Sequence, residues 1–132
     1  MAMYAMDIEI RSNEDWVDSI ALWLPDSEGA PTTEPFPLDP TWRVVQHLRD
    51  PNEALIPVFV SSSDNGRLEF TFDENTGGDI TEARLQWNVP RSAAQYIPAG
   101  VYFHDVKFID PDGGEIVFAV GKLTMTTGTT RP

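Results

Sequence analysis

The sequence has no cysteine among its 132 residues. This absence excludes disulfide bonds, thiolate metal sites and a cysteine nucleophile, although it leaves the compartment of the protein open. Long apolar runs are absent too, since no stretch approaches the roughly 18 residues of a transmembrane helix. Residues Met1 to Asp7 also lack the charged start and apolar body of a secretory signal peptide. We therefore expect neither membrane insertion nor a signal peptide.

Basic residues are scarce. The chain has 9 lysines and arginines against 21 acidic residues, which gives a net charge of −12. Binding to nucleic acid or to an anionic membrane needs a positive field, so neither partner is expected. The acidity has two explanations that the sequence leaves open: solubility of the chain, or docking onto a basic partner surface.

Apolar and turn-forming residues are plentiful by contrast. Hydrophobic residues make up 41% of the chain, with 4 Trp, 7 Phe and 3 Tyr, and the 11 prolines and 9 glycines are spread along it. A chain of this length buries roughly two-thirds of the surface that it exposes when unfolded. We expect a single domain over residues 1–132, with an N-terminal arm at 1–6 and a C-terminal tail at 126–132.

The clearest structural signal lies between Pro98 and Met125. Residues 101–109 are rich in β-branched and aromatic side chains, residues 110–114 (Asp-Pro-Asp-Gly-Gly) are typical of a turn, and residues 116–125 are again apolar. This pattern predicts a hairpin of two long strands.

Further strands are predicted where apolar and polar side chains alternate between turn residues. The segments are 7–11, 16–24, 55–61, 68–72 and 83–89, with a strand preferred over a short helix at 42–49. Pro57 indicates an edge strand or a bulge, residues 25–40 a long irregular loop, and residues 91–97 one helical turn. Together they predict an all-β fold: a single antiparallel immunoglobulin-like β-sandwich of seven or eight strands.

The chain's two histidines, His47 and His104, are the first candidates for catalysis. His104 precedes Asp105, but consecutive side chains on a strand point to opposite faces, so this aspartate cannot orient that imidazole. Residues 61–63 supply three serines, none of them on a recognisable nucleophile elbow. We therefore predict no catalytic residue, and expect His104 to be a partly exposed histidine on a strand.

Two acidic turns are candidates for a calcium ion. One joins residues 73–75 with Asp79, and the other joins Asp110 and Asp112 with Glu115. Calcium takes six to eight oxygen ligands, and neither turn has the spacing of an EF-hand loop. Asp, Asn and Gly are also ordinary turn formers. We therefore predict no metal site and no cofactor.

The tryptophans divide by the face of the strand on which they lie. Trp16, Trp42 and Trp87 are expected in the interior, where they would not form the aromatic platforms that a glycosidase cleft needs. Trp23 falls on the opposite face of its strand from Trp16, so it is the best candidate for an exposed interaction patch. Arg131, near the C-terminus, is a second candidate, since it could reach a neighbouring subunit.

Five motifs in the last third of the chain resemble one known family. They are Ala99-Gly100-Val101-Tyr102, Phe103-His104-Asp105-Val106, Asp110-Pro111-Asp112-Gly113, Gly121-Lys122-Leu123-Thr124 and Thr130-Arg131. In these motifs the chain resembles the small bacteriophage β-sandwich domains of the LtfC type, found among virion structural and tail-fibre-associated proteins. In physical terms Gly121 permits a bulge or a close approach of backbone, and the aromatic residues fill the space between sheets.

The resemblance implies a non-enzymatic structural protein of a phage virion, assembled in the host cytoplasm. Such a protein would act as a minor tail or fibre adaptor or as a capsid decoration. Its partners would be other virion proteins and further copies of itself, with no cofactor, nucleic acid or membrane involved. A carbohydrate- or ligand-binding β-sandwich module is the alternative, and an enzyme is a third hypothesis.

Overall fold

The computed structural model describes residues 4–12 and 14–126 of the chain. In that part the backbone forms ten strands and one short helix. They are β1 (Tyr4–Ala5), β2 (Ile8–Arg11), β3 (Trp16–Pro25), β4 (Pro31–Pro35), β5 (Arg43–Asp50), β6 (Glu53–Ser62), β7 (Leu68–Glu74), β8 (Ile80–Val89), α1 (Arg91–Ala94), β9 (Gly100–Ile109) and β10 (Glu115–Thr126). The fold is all-β, as predicted, but the described residues form more strands than the seven or eight expected.

The strands form two sheets. In the six-stranded sheet, β1 and β2 both pair with β10, which is followed by β9, β5 and β6. The four-stranded sheet has the order β4, β3, β8, β7. Neighbours are antiparallel except that β1 and β2 run parallel to β10. The prediction of purely antiparallel pairing is wrong at this edge. Strands from the two ends of the chain pair there, and a local sequence pattern cannot predict pairing between segments so far apart.

Aromatic side chains fill the space between the sheets. The ring of Phe108 on β9 lies 5.1 Å from that of Phe70 on β7 and 5.6 Å from that of Phe36, both edge-to-face. The rings of Trp16 and Trp87 stack at 5.5 Å. Each such pair contributes about 0.5–1.5 kcal/mol beyond the area that it buries. The interior positions predicted for Trp16 and Trp87 are confirmed, because both side chains are buried.

One five-residue loop design closes three of the hairpins. The loops are 26–30, 75–79 and 110–114. In each, the side-chain oxygen of the first residue (Asp26, Asn75 or Asp110) accepts hydrogen bonds from the backbone N–H groups of the third and fifth residues. The fourth residue is a glycine with φ between 84° and 91°, a conformation that other residues rarely adopt. The turn predicted at 110–114 is therefore confirmed, and the acidic turn predicted from residues 73–75 and Asp79 closes over residues 75–79.

The predicted irregular loop over residues 25–40 is wrong in part. Residues Pro31–Pro35 form β4, which pairs with β3 at the edge of the four-stranded sheet. An edge strand tolerates proline because one side of it needs no ladder donors. After β4 the chain turns inward, and Phe36 and Leu38 are buried in the core. The segment thus supplies both a strand and core side chains.

Other local predictions are confirmed. Residues 43–50 form a strand rather than a helix, and residues 91–94 form the short helix α1. β6 is an edge strand, and its register with β5 shifts at Pro57. Of the predicted arm and tail, Tyr4–Ala5 and Thr126 belong to strands. Residues 1–3 and 127–132 lie outside the described residues.

Candidate interaction surface

The outer face of the six-stranded sheet is the side turned away from the core. On β9, successive side chains alternate between the two sides, as the pleat requires. Tyr102, His104, Val106 and Phe108 are buried, whereas Val101, Phe103, Asp105 and Lys107 lie on the outer face. The same alternation continues on β10, where Val120 and Lys122 are exposed and Leu123 is buried.

Three large apolar side chains are exposed together on this outer face, and we call them the apolar patch. Val101 is 48% exposed, Phe103 47% and Val120 42%. Phe103 and Val120 line a shallow hollow of about 520 Å³, with Ala5 of the edge strand β1 on its border. Scattered apolar residues are normal on protein surfaces, but a contiguous group marks a site of interaction.

Charged side chains flank the apolar patch in an order set by strand register. Lys122 on β10 lies opposite Phe103 on β9, and Phe103 lies opposite Arg49 on β5. On the other side, the backbone N–H of Lys122 donates a hydrogen bond of 3.0 Å to Oδ1 of Asp7. Across the sheet the order is therefore Asp7, Lys122, Phe103, Arg49, which we call the transverse row. Lys107, the other lysine of the chain, is also on this face.

Asp105 meets His47 rather than His104. The register of β5 and β9 places the two residues opposite each other, with His47 Nδ1 3.8 Å from Asp105 Oδ1. Arg49 Nη2 donates a 3.2 Å hydrogen bond to the same His47 nitrogen. Burial lowers the pKa of His47, and the negative charge of Asp105 partly opposes that shift. The sequence gives no signal for this pair, because finding it requires the register between strands 50 residues apart along the chain.

The predicted exposure of His104 is wrong, because its side chain is only 3% exposed. Trp87 Nε1 donates to Gln46 Oε1 at 3.1 Å, and Gln46 Nε2 donates to His104 Nδ1 at 3.2 Å. His104 Nε2 then donates to the backbone oxygen of Met6 at 2.6 Å. This chain of donors and acceptors requires the neutral imidazole with its proton on Nε2. Burial lowers the pKa of His104, which favours that neutral form.

His104 lies on the core side because the alternation of β9 places it there, between Tyr102 and Val106. A buried imidazole needs partners, and Gln46 on the neighbouring strand supplies one of them. Both ring nitrogens are used in hydrogen bonds that connect the two sheets and the N-terminal segment. The role of His104 in this arrangement is structural.

Gly121 makes room for the Met6 carbonyl that receives this hydrogen bond. A Cβ atom at position 121 would lie 1.9 Å from the Met6 oxygen, so no larger residue fits without movement. The backbone N–H of Met6 in turn donates to the Val120 oxygen at 2.9 Å. The prediction that Gly121 permits a close approach of backbone is confirmed.

The first side chain of each acidic loop, Asn75 or Asp110, accepts hydrogen bonds from within that loop. Oδ1 of Asp110 accepts the backbone N–H groups of Asp112 and Gly114, at 2.9 and 2.8 Å. An acceptor that faces two N–H groups is arranged to close the loop rather than to face a cation. Among residues 4–12 and 14–126, no cluster of three or more His, Asp or Glu side chains could hold a metal ion.

Trp23 does not lie on the outer face of the six-stranded sheet. Its side chain is half-buried, so it is less exposed than predicted. It lines a hollow of about 320 Å³ with Tyr4 and Phe118, where the edge strand β1 approaches β3. The Tyr4 hydroxyl donates to the backbone oxygen of Trp23 at 3.3 Å. Arg131, the other residue predicted for an interaction patch, lies outside the described residues.

A second groove, of about 750 Å³, lies between β6 and the segment that includes α1. Tyr96 borders it and is 80% exposed, and Val58 borders it at 48% exposed. The guanidinium of Arg67 lies 4.5 Å from the centre of the Phe59 ring on the same border. Sequence reasoning missed this groove, because Tyr96 follows a helical turn in a segment without alternation.

Two comparisons with known proteins find no match for this chain. No family model matches the chain. A search of the curated proteins likewise finds no significant match. In the described part of the chain, no helix has the length and apolar character needed to cross a bilayer.

Proposed function

We propose that this chain is a non-enzymatic structural protein of a bacteriophage virion with an immunoglobulin-like β-sandwich fold. It acts as a minor tail or fibre adaptor, or as a capsid decoration, and binds other virion proteins through the outer face of its six-stranded sheet. The resemblance of residues 99–131 to phage β-sandwich domains supports the setting. The exposed apolar patch supports the mode of binding.

Two features support the immunoglobulin-like topology. β5, β9 and β10 correspond to the C, F and G strands of that fold, with β6 as C′, while β3, β8 and β7 correspond to B, E and D. The hydroxyl of Tyr102, near the start of β9, donates to the backbone oxygen of Pro98 at 2.5 Å. This is the tyrosine corner of immunoglobulin-like sandwiches. The chain departs from antibody domains in having no disulfide and in adding the edge strand β4.

The observation that carries the proposal is the group formed by Val101, Phe103 and Val120, each between 42% and 48% exposed on two neighbouring strands of one sheet face. A protein that functions alone would place polar side chains there, since exposed apolar groups promote association. Charged residues flank the group, as in protein interfaces with an apolar centre and a polar rim.

Co-sedimentation with purified phage particles tests the proposal. We expect the wild-type protein to sediment with particles in a fixed copy number, and Val101→Ser to weaken that binding about tenfold, the equivalent of 1.4 kcal/mol. Val17→Ser is the matched control, because Val17 is 65% exposed on the four-stranded sheet. Equal loss in the two variants, or no sedimentation of the wild type, contradicts the proposal.

Carbohydrate binding is the second candidate function, and the groove beside Tyr96 favours it. An aromatic ring that is 80% exposed beside a groove offers a stacking surface for a sugar. A glycan that binds only the folded state raises the melting temperature. Under this alternative, a soluble oligosaccharide would raise the melting temperature of the wild type but not that of Tyr96→Ser.

A further inference from the structure

The charge of the outer face limits what can cover it. Two copies of a chain with a net charge of −12 repel each other over most of their surfaces. The outer face is more balanced, because it carries Arg49, Lys107 and Lys122 beside Asp7 and Asp105. Two copies can therefore approach through this face with little repulsion.

The transverse row is complementary to itself when it is reversed. Its order across the sheet is Asp7, Lys122, Phe103, Arg49, with an anion at one end and a cation at the other. A two-fold axis that runs along the strands between β9 and β10 brings an identical row against it in the opposite order. Asp7 then faces Arg49 of the partner subunit, and Lys122 faces Phe103 of the partner subunit.

We propose that a second copy of this chain covers the apolar patch in an isologous two-fold dimer held by these reciprocal contacts. Each dimer contains two Asp7–Arg49 ion pairs and two Lys122–Phe103 cation–π contacts. The same axis places Val120 against Asp105 of the partner subunit and Val101 against Thr124 of the partner subunit. This inference refines the proposed function, because it names a copy of the chain as the partner of the same surface.

The dimensions of the face suit such a dimer. Five neighbouring strands about 4.8 Å apart give a width of about 20 Å, and ten residues of β9 give a length of about 33 Å. The resulting area of about 660 Å² is somewhat smaller than the roughly 800 Å² that a standard interface buries on each partner, and falls within the range of specific interfaces. In such a dimer the apolar side chains lose exposed surface, and the reciprocal charges fix the register of the two copies.

Charge reversal tests the reciprocal pairing. We expect sedimentation equilibrium to show a dimer for the wild type, with dissociation constants raised at least about tenfold in Asp7→Arg and in Arg49→Asp, because each change makes both ion pairs repulsive. A 1:1 mixture of the two variants should form a heterodimer with nearly wild-type affinity. In that mixture one pair joins the two substituted side chains and the other joins the native Asp7 and Arg49, so opposite charges meet in both pairs.

Controls separate folding from association. Asp7→Asn retains the acceptor for the Lys122 N–H and removes only the charge, so it should weaken the dimer less than Asp7→Arg. Val101→Ser should weaken the dimer and Val17→Ser should not, since Val17 lies on the other sheet. Melting temperatures of all variants within a few degrees of the wild type show that the fold is intact.

A wild-type protein that stays monomeric at about 100 μM overturns the dimer, and so does a mixture no tighter than its two components. Particle binding is a separate readout. If the wild type is monomeric but sediments with particles, the dimer is contradicted and the virion role is supported. If the wild type is a dimer that does not bind particles, the dimer is supported and the virion role is contradicted.

Discussion

At the scale of single residues, His104 shows how burial and hydrogen-bond direction together fix a protonation state. The Nδ1 atom of His104 must accept, because the Gln46 side chain presents an amide N–H to it. The Gln46 side-chain oxygen cannot be the group that faces His104, since it accepts the indole N–H of Trp87. The Nε2 atom of His104 must donate, because the Met6 oxygen has no proton to give. A second proton would set two donors, Nδ1 and the Gln46 amide, against each other in the interior. The neutral imidazole is therefore part of the packing.

This state makes stability depend on pH. Burial lowers the pKa of both His104 and His47 below the ordinary value of 6.5. Below about pH 6.5 the unfolded chain therefore binds more protons than the folded chain, so the free energy of unfolding falls as the pH falls. We expect urea midpoints to decrease between pH 7.5 and pH 5.5.

The variant His104→Gln separates this effect from the changing net charge. Its urea midpoints should depend less steeply on pH than those of the wild type over the same interval. Nearby Asp7 and Asp105 oppose the burial effect in the wild type, since a negative charge favours the protonated imidazole. Identical slopes for the variant and the wild type would contradict the account of His104.

Trp87→Phe tests the hydrogen bond between the sheets. The change removes the indole N–H and leaves the Gln46 oxygen buried without its donor, which costs about 1–3 kcal/mol in addition to the lost volume. Trp16→Phe is the control, because Trp16 stacks on Trp87 and its removal leaves the Trp87–Gln46 bond in place. Urea unfolding should show the larger loss for Trp87→Phe, and equal losses would argue against the bond.

Residue-scale predictions from the sequence succeeded where a local rule was sufficient. The rule of alternation correctly separates His104 from Asp105, and the lack of a side chain at Gly121 correctly indicates a close approach. The burial of His104 and the His47–Asp105 pair were missed. Both depend on residues of β5 that lie more than 50 positions away along the chain.

At the scale of elements, the repeated loop explains why one strand was missed. The sequence predicts turns at 76–79 and 110–114, where two glycines stand together. The loop at 26–30 follows the same design, with Asp first and Gly fourth, but prolines on both sides indicated irregular chain. Recognising the shared pattern, Asp or Asn followed three residues later by Gly, would have predicted a hairpin there and hence the strand β4.

Gly121→Ala tests how the N-terminal strands are held. The added methyl group would collide with the Met6 oxygen, so β1 and β2 must move away from β10. Overpacking of this kind costs about 1–3 kcal/mol. We expect faster amide hydrogen exchange at residues 4–11 in particular, measured by mass spectrometry. Gly77→Ala is the control, since the nearest atom to a Cβ there lies 3.4 Å away, and the idea fails if the two variants exchange alike.

At the scale of the whole molecule, the two sheets present different outer surfaces. The six-stranded sheet carries the apolar patch with both lysines, whereas β7 and β8 of the other sheet carry Glu69, Asp73 and Glu82. The sequence predicts the all-β class and the aromatic core, since both follow from alternation. It cannot predict which face is exposed and apolar, because that depends on which strands share a sheet and in what register.

Footprinting of the outer face in the assembled state tests the central claim most directly. Phe103 in the free, dilute protein should react readily with a hydroxyl-radical probe, because its side chain is 47% exposed. In assembled particles the account predicts strong protection of Phe103, Val101 and Val120, with Val17 labelled equally in both states. If Phe103 remains as reactive in particles as in the free protein, the outer face of the six-stranded sheet is not the binding surface.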